Sequence, residues 1–174
     1  MNGAHFHLLV NHFPIILPII GTLILIIGLV FKSEAVKRTA YLLFILGAIF
    51  SILAMTSGEE AEEVVEDLVE VTETYIDSHE EAAETFAILS YILGGISLFG
   101  LWASFTKKSF TNIVSVVTII FALITLFFAQ RTGTTGGEIR HSEIRDEVAL
   151  FSPAKLNKGE TEVMMTKILS MRAV

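Results

Sequence analysis

The sequence predicts an all-α fold: a transmembrane four-helix bundle with an extramembrane acidic helical segment and a C-terminal tail. Apolar runs at residues 8–31, 38–55, 85–105 and 113–129 each approach the roughly 20 residues that a helix needs to cross a hydrocarbon core about 30 Å thick. Hydrophobic residues make up 52% of the chain and are gathered into those runs. The charges are segregated as well. Lys32, Lys37 and Arg38 fall around the first link and Lys107 and Lys108 in the third, whereas the second link, 57–84, is rich in Glu and has no Lys or Arg. Basic residues mark cytoplasmic links, so both termini and the acidic segment are expected outside. The domain reading is a membrane bundle over 1–141 followed by an extramembrane tail over 142–174.

The first span opens with His12-Phe13-Pro14. Proline lacks an N–H and disfavours helix at the residue before it, so Pro14 suits the first turn of the membrane helix and puts His12 at its mouth. The alternative is a helix from about residue 5 that kinks at Pro14. No basic region precedes this run and no small-residue cleavage site follows it, so the span is expected to be retained. After the second span, Ser57 with Glu60 forms a capping box, which predicts a new helix start. Val64, Val65, Leu68 and Val71 then recur at helical spacing among glutamates, the pattern of a short extramembrane helix or a protruding continuation of span two. Ser78 with Glu81 repeats the device and predicts that the third helix starts near His79. Gly94, Gly95 and Ser97 in that span allow close helix approach in lipid. The fourth span is dominated by Ile, Val, Leu and Phe up to Gln130. The glycine-rich stretch after it, 132–137, reads as a turn that folds the chain back over the bundle mouth. In the tail, Pro153 and an amphipathic 163–171 segment carry no assigned chemistry, and Met164, Met165 and Met171 read as packing residues.

Composition excludes several functions. Cysteine is absent, so disulfides, thiolate metal sites and c-type haem attachment are ruled out. No basic stripe points to nucleic acid. No nucleophile elbow or H-E-x-x-H motif is present. The five histidines, His5, His7, His12, His79 and His141, all fall in segments assigned to the outside. Imidazole ligates haem iron, zinc and copper and titrates near neutral pH. Haem b needs two axial ligands, usually from different helices, and an apolar slot. His12 and His79 are the favoured axial pair; His7 and His141 are a second pair or replacements. Phe6, Phe13, Phe86, Phe127 and Phe128 are candidates for the slot, and Arg131 and Arg140 for propionate partners. The same imidazoles with Glu59, Glu60 or Glu80 could instead hold a zinc or copper ion. Each histidine taken alone is also explained as an interfacial ring that caps a helix.

The run His7-Leu8-Leu9-Val10-Asn11-His12-Phe13-Pro14 resembles the opening motif, His-x4-His-Phe-Pro, of a bacterial family of four-span membrane proteins, domain of unknown function 2231. The resemblance extends to 57–61, to His79-Glu80 and to 136–141, and so covers about residues 5–141. It implies a small inner-membrane protein associated with haem or cytochromes and carries His7, His12, His79 and His141 forward as candidates. The tail departs from the family pattern.

These readings converge on a b-type haem protein that moves electrons at the outer, periplasmic side of the bacterial inner membrane, between quinol and a periplasmic carrier. The expected partners are the lipid bilayer, a quinone, and a c-type cytochrome or respiratory complex. An electron-transfer protein or subunit is expected ahead of a stand-alone enzyme. Two other classes compete: a non-redox accessory subunit docking through its acidic face, and a divalent-metal-binding membrane protein.

Overall fold

A computed structural model describes residues 2–66, 73–141 and 144–145. Its helices are α1 (Gly3–Val10), α2 (Phe13–Val30), α3 (Glu34–Glu66), α4 (Glu73–Phe105) and α5 (Thr111–Arg140). Helices α1 and α2 make one apolar run interrupted at Asn11–His12, and with α3, α4 and α5 they give four helical stretches long and apolar enough to cross a membrane. They pack up and down in chain order, α2 on α3, α3 on α4, α4 on α5, and α5 back on α2. The bundle forms one unit ending at Arg140; of the second, His141–Val174, only His141, Ile144 and Arg145 are described, with the Ile144 N–H donating to the His141 carbonyl at 3.2 Å. Leu68, Val71, Pro153 and the 163–171 segment lie outside the described residues.

The bundle is built with large residues outward and small ones inward. Leu23, Phe31, Leu98, Ile113 and Phe127 are exposed, as a lipid-facing surface requires. Inside, α5 presents Thr111, Ser115, Thr118, Ala122, Thr125, Ala129 and Thr132, at alternating steps of four and three residues. Helix α4 answers with Ser90, Ser97 and Ser104, spaced by seven. This is the 3.5-residue repeat of interlocking helices, written in hydroxyls and alanines instead of leucines. The hydroxyls are mostly satisfied locally: Ser115, Thr118 and Thr125 donate to the carbonyl four residues earlier at 3.0, 2.7 and 3.0 Å. Glycines set the approach of neighbouring backbones. A Cβ at Gly100 would lie 2.6 Å from the Tyr41 ring, one at Gly94 2.7 Å from Ala48 Cβ, and one at Gly21 3.0 Å from the Phe44 ring.

Three expectations are corrected. Ser57 and Glu60 do not start a helix: α3 runs through them, and Ser57 Oγ donates to the Ala54 carbonyl at 3.1 Å as a residue within a helix does. The acidic segment, as far as it is described, is the protruding continuation of the second span. Ser78 and Glu81 likewise lie inside α4, which is already helical at Glu73. The glycine-rich stretch does not fold back, because α5 continues through Gly133, Gly136 and Gly137 to Arg140. No described glycine has positive φ, so these glycines make no left-handed turn, and Gly136 serves close packing against His79.

The opposite end is closed by two short links of one design. In each, a lysine adopts left-handed backbone, Lys32 at φ 52° and Lys107 at φ 52°. Ser33 N–H reaches back to the Gly28 carbonyl at 2.9 Å, and Lys108 N–H to the Ala103 carbonyl at 3.1 Å. Both are Schellman ends with lysine at the position where glycine is usual. Beside them Lys37, 1% exposed, pairs with Glu34 and donates to Asn112 Oδ1 at 2.9 Å. Arg38 donates to Ser104 Oγ at 2.9 Å, and Ser104 Oγ to Glu34 Oε2 at 2.6 Å. This network ties α3, α4 and α5 together.

Two outcomes are expected from thermal unfolding in detergent. Gly94→Leu and Gly100→Leu should each destabilise by about 1–3 kcal/mol through overpacking, whereas Gly95→Leu should leave the midpoint unchanged, since nothing lies within 4 Å of its Cβ position. Glu34→Ala, which leaves the buried Lys37 ammonium with Asn112 Oδ1 but no carboxylate, should cost about 1–3 kcal/mol. Lys37→Met should cost less, because Glu34 is partly exposed and keeps Ser104 and Arg38 beside it.

Candidate functional site

The site is assembled by helix register at the end opposite the lysines. Helix α1 runs antiparallel along α3, with Gly3 backbone pressed on Glu60 and, further along, the Phe13 ring stacked on Phe50 at 4.5 Å. This register sets His7 against the inner face of α3. Its Nδ1 lies 3.1 Å from the Ala54 carbonyl and 3.1 Å from Ser57 Oγ. Helices α4 and α5 pair in the same way: Thr132 Oγ1 donates to the Ala82 carbonyl at 2.9 Å, and His79 Nδ1 lies 3.2 Å from Thr135 Oγ1. A Cβ at Gly136 would sit 2.9 Å from His79 Cε1, so the imidazole occupies the space that this glycine leaves.

The bonding fixes the tautomer of His7. The Ala54 carbonyl can only accept, so His7 carries its proton on Nδ1. Ser57 Oγ spends its own hydrogen on that same carbonyl and is left to accept from the ring. Thr135 Oγ1 has three acceptors for its one hydrogen at 3.2 Å, the carbonyls of Arg131 and Thr132 and the Nδ1 of His79, so it pairs with His79 Nδ1 in either tautomer. His7 keeps the Nε2 lone pair for a ligand. An imidazole held at Nδ1 by a carbonyl or hydroxyl is the arrangement that orients histidine toward a metal. The two rings are close enough for the charge of one to act on the other.

The remaining candidates are placed as follows. His12 is exposed at the break before α2, its side chain capping nothing, and lies within electrostatic range of His7. His5 is exposed on α1. His141 is exposed and belongs to the second unit. Arg131 is exposed one turn before Thr135, and Arg140 is exposed at the end of α5. Of the aromatic residues, Phe86 is buried two turns from His79 on the same helix, Phe13 is stacked on Phe50, and Phe127 faces outward. No three His, Asp or Glu side chains gather as a metal site among the described residues. A rise of about 1.5 Å per residue puts the far edge of a 30 Å core about 20 residues along each helix from the lysine end. That level falls near Ala54, Thr85 and Arg131, so the imidazole pair lies at or just beyond it.

Sequence reasoning missed Ser57, Thr135, Gly136 and Asn11 as parts of the site. Ser57 was read as a cap and the glycine as a turn, although their positions on the inner helix faces could have been found from the 3.5-residue repeat. Asn11 Oδ1 is buried at the α1–α2 break, one turn past His7, and has no partner among the described residues.

Neither the curated proteins nor the solved structures compared with the chain include a match. The family model for DUF2231, described as a predicted membrane protein, matches residues 3–143 and thus takes in all the bundle helices and every histidine. The chain belongs to the DUF2231 family of predicted membrane proteins.

Proposed function

We propose that this protein is an integral b-type haem protein that transfers electrons at the outer face of the bacterial inner membrane, with His7 and His79 as the axial ligands. The observation that carries this reading is a pair of imidazoles from different helices, each anchored through Nδ1, so that Nε2 is the ring nitrogen directed away from the anchor. Two such donors suit the axial positions of a haem better than they suit a zinc or copper ion, which calls for a larger donor set. Asn11 Oδ1 adds an unpaired buried acceptor near His7, the kind of atom that a bound group or water satisfies. Phe86 supplies an apolar wall below the pair, and Arg131 a cation within one turn of Thr135.

Bound there, haem would supply one-electron redox chemistry. The protein's own contribution is to hold both rings in place through Nδ1 and to set the polarity around them. Ala54 and Ser57 raise the basicity of His7 Nε2 by accepting from the far nitrogen, which would favour an oxidised metal. Glu59, Glu60, Glu63, Asp77, Glu80, Glu81 and Glu84 are exposed on the neighbouring ends of α3 and α4. This acidic surface suits a cationic soluble electron carrier, such as a c-type cytochrome or a basic face of a respiratory complex, by steering its approach. A quinol is the donor class that reaches an interfacial site from the lipid. The lysine links then face the cytoplasm, in keeping with the positive-inside rule.

Protein purified from haem-replete cells should show a Soret band of six-coordinate, low-spin character. His7→Ala and His79→Ala should each abolish it or convert it to high spin, while His5→Ala should leave it intact. A preparation without a Soret band would overturn the haem reading and leave the acidic face as the docking surface of a non-redox subunit. Low-spin absorbance surviving in both single variants would keep the haem and remove His7 and His79 as its ligands.

A further inference from the structure

At the lysine end a polar cavity of about 230 Å³ opens between α3, α4 and α5, lined by Lys107, Lys108, Ser109, Asn112 and Glu34. Its only carboxylate among those residues, Glu34, is already engaged by Lys37 and Ser104 and lies near Arg38. The ammonium groups of Lys107 and Lys108 are exposed and carry the net charge of the cavity. Lys107 holds its place in left-handed backbone, at φ 52°, where glycine would cost about 1 kcal/mol less.

A second cavity lies on the outward face of the same helix pair. It is an apolar groove of about 440 Å³ between α4 and α5, lined by Gly95, Ile96, Phe99, Ile113 and Val117. Gly95 forms its floor, with nothing within 4 Å of its Cβ position. A ladder of side chains joins groove to cavity. Phe99 packs on Trp102 at 5.4 Å between ring centroids, and Lys108 Nζ lies 5.5 Å above the Trp102 ring. Lys108 lines the polar cavity and Phe99 lines the groove, so one molecule with an anionic head and an apolar chain can touch both.

We infer that the α4–α5 link is a binding site for one anionic glycerophospholipid of the leaflet at the lysine end, its phosphate held by Lys107 and Lys108 and an acyl chain laid in the Gly95 groove. Charge complementarity favours an anionic headgroup over a zwitterionic one. Depth agrees with it: Trp102 and the two lysines occupy the end of the apolar run, where indole and ammonium groups meet the headgroup layer. The site lies at the other end of the bundle from the imidazole pair and needs no haem.

The chain's single tryptophan, Trp102, reports on the site directly. The test is quenching of its fluorescence in phosphatidylcholine nanodiscs doped with either phosphatidylglycerol or phosphatidylcholine carrying brominated acyl chains. At equal doping, brominated phosphatidylglycerol should quench more strongly. Its enrichment over brominated phosphatidylcholine should fall about fivefold for each of Lys107→Gln and Lys108→Gln. Gly95→Leu, which fills the groove, should reduce quenching by brominated phosphatidylglycerol and leave thermal stability unchanged. Equal quenching by the two lipids, or enrichment that survives in the double lysine variant, would overturn the proposal. Loss of the enrichment on adding inorganic phosphate at constant ionic strength would also overturn it, by assigning the lysines to free phosphate.

Discussion

Close approach of helix backbones is the constraint on which the rest of this molecule depends. Lipid tails are as apolar as leucine, so burying large side chains between spans gains little. Dispersion contacts between closely packed backbones supply the attraction instead, and they require small residues at the seam. Gly100 against Tyr41, Gly94 against Ala48 and Gly21 against Phe44 are the points where a larger residue does not fit. Hydroxyls at the inward positions of α5 from Ser115 onward can be buried because each has a carbonyl of its own helix within reach. Ser90 and Ser97 on α4 are the exceptions, buried without a partner among the described residues.

Once the seam is fixed, the chemistry at both ends follows from register. At one end it brings Lys37 of α3 onto Asn112 of α5, and Arg38 onto Ser104 of α4. At the other it brings His7 onto Ala54 and Ser57, and His79 onto Thr135 in the space left by Gly136. The same back-bonding that satisfies a hydroxyl in the seam also decides its role toward histidine: with its hydrogen given to the Ala54 carbonyl, Ser57 can only accept from the His7 ring. Packing thus sets the tautomer of His7, and the tautomer sets which of its nitrogens is free to ligate.

The four spans were legible because apolar length is a local property of the chain, and the family model agrees with that architecture. Helix ends outside the apolar runs were less legible. Ser57-Glu60 and Ser78-Glu81 have the composition of capping boxes, but α3 and α4 run on through them, so the local signal lost to helix continuity. The 132–137 stretch misled for a related reason: glycine permits a turn in water but serves close packing in a membrane helix, and only the neighbouring ring of His79 distinguishes the two uses. The seam itself was written openly in the fourth span as Thr111, Ser115, Thr118, Ala122 and Thr125, but a hydropathy reading passes over small polar residues in a greasy run. Which histidines meet was not legible at all. His7 and His12 stand five positions apart, and the choice between them rests on the break at Asn11–His12 and on how α1 lies along α3.

That choice is also the most direct test of the account. The chain has no cysteine, so introduced thiols report without background. Cysteine pairs at positions 7 and 79 and at positions 12 and 79, treated in native membranes with a short bifunctional thiol reagent, measure which segment faces His79. The account predicts efficient intramolecular cross-linking for the 7–79 pair and little for the 12–79 pair. Efficient cross-linking of 12–79 with none at 7–79 would contradict the register from which the site is built.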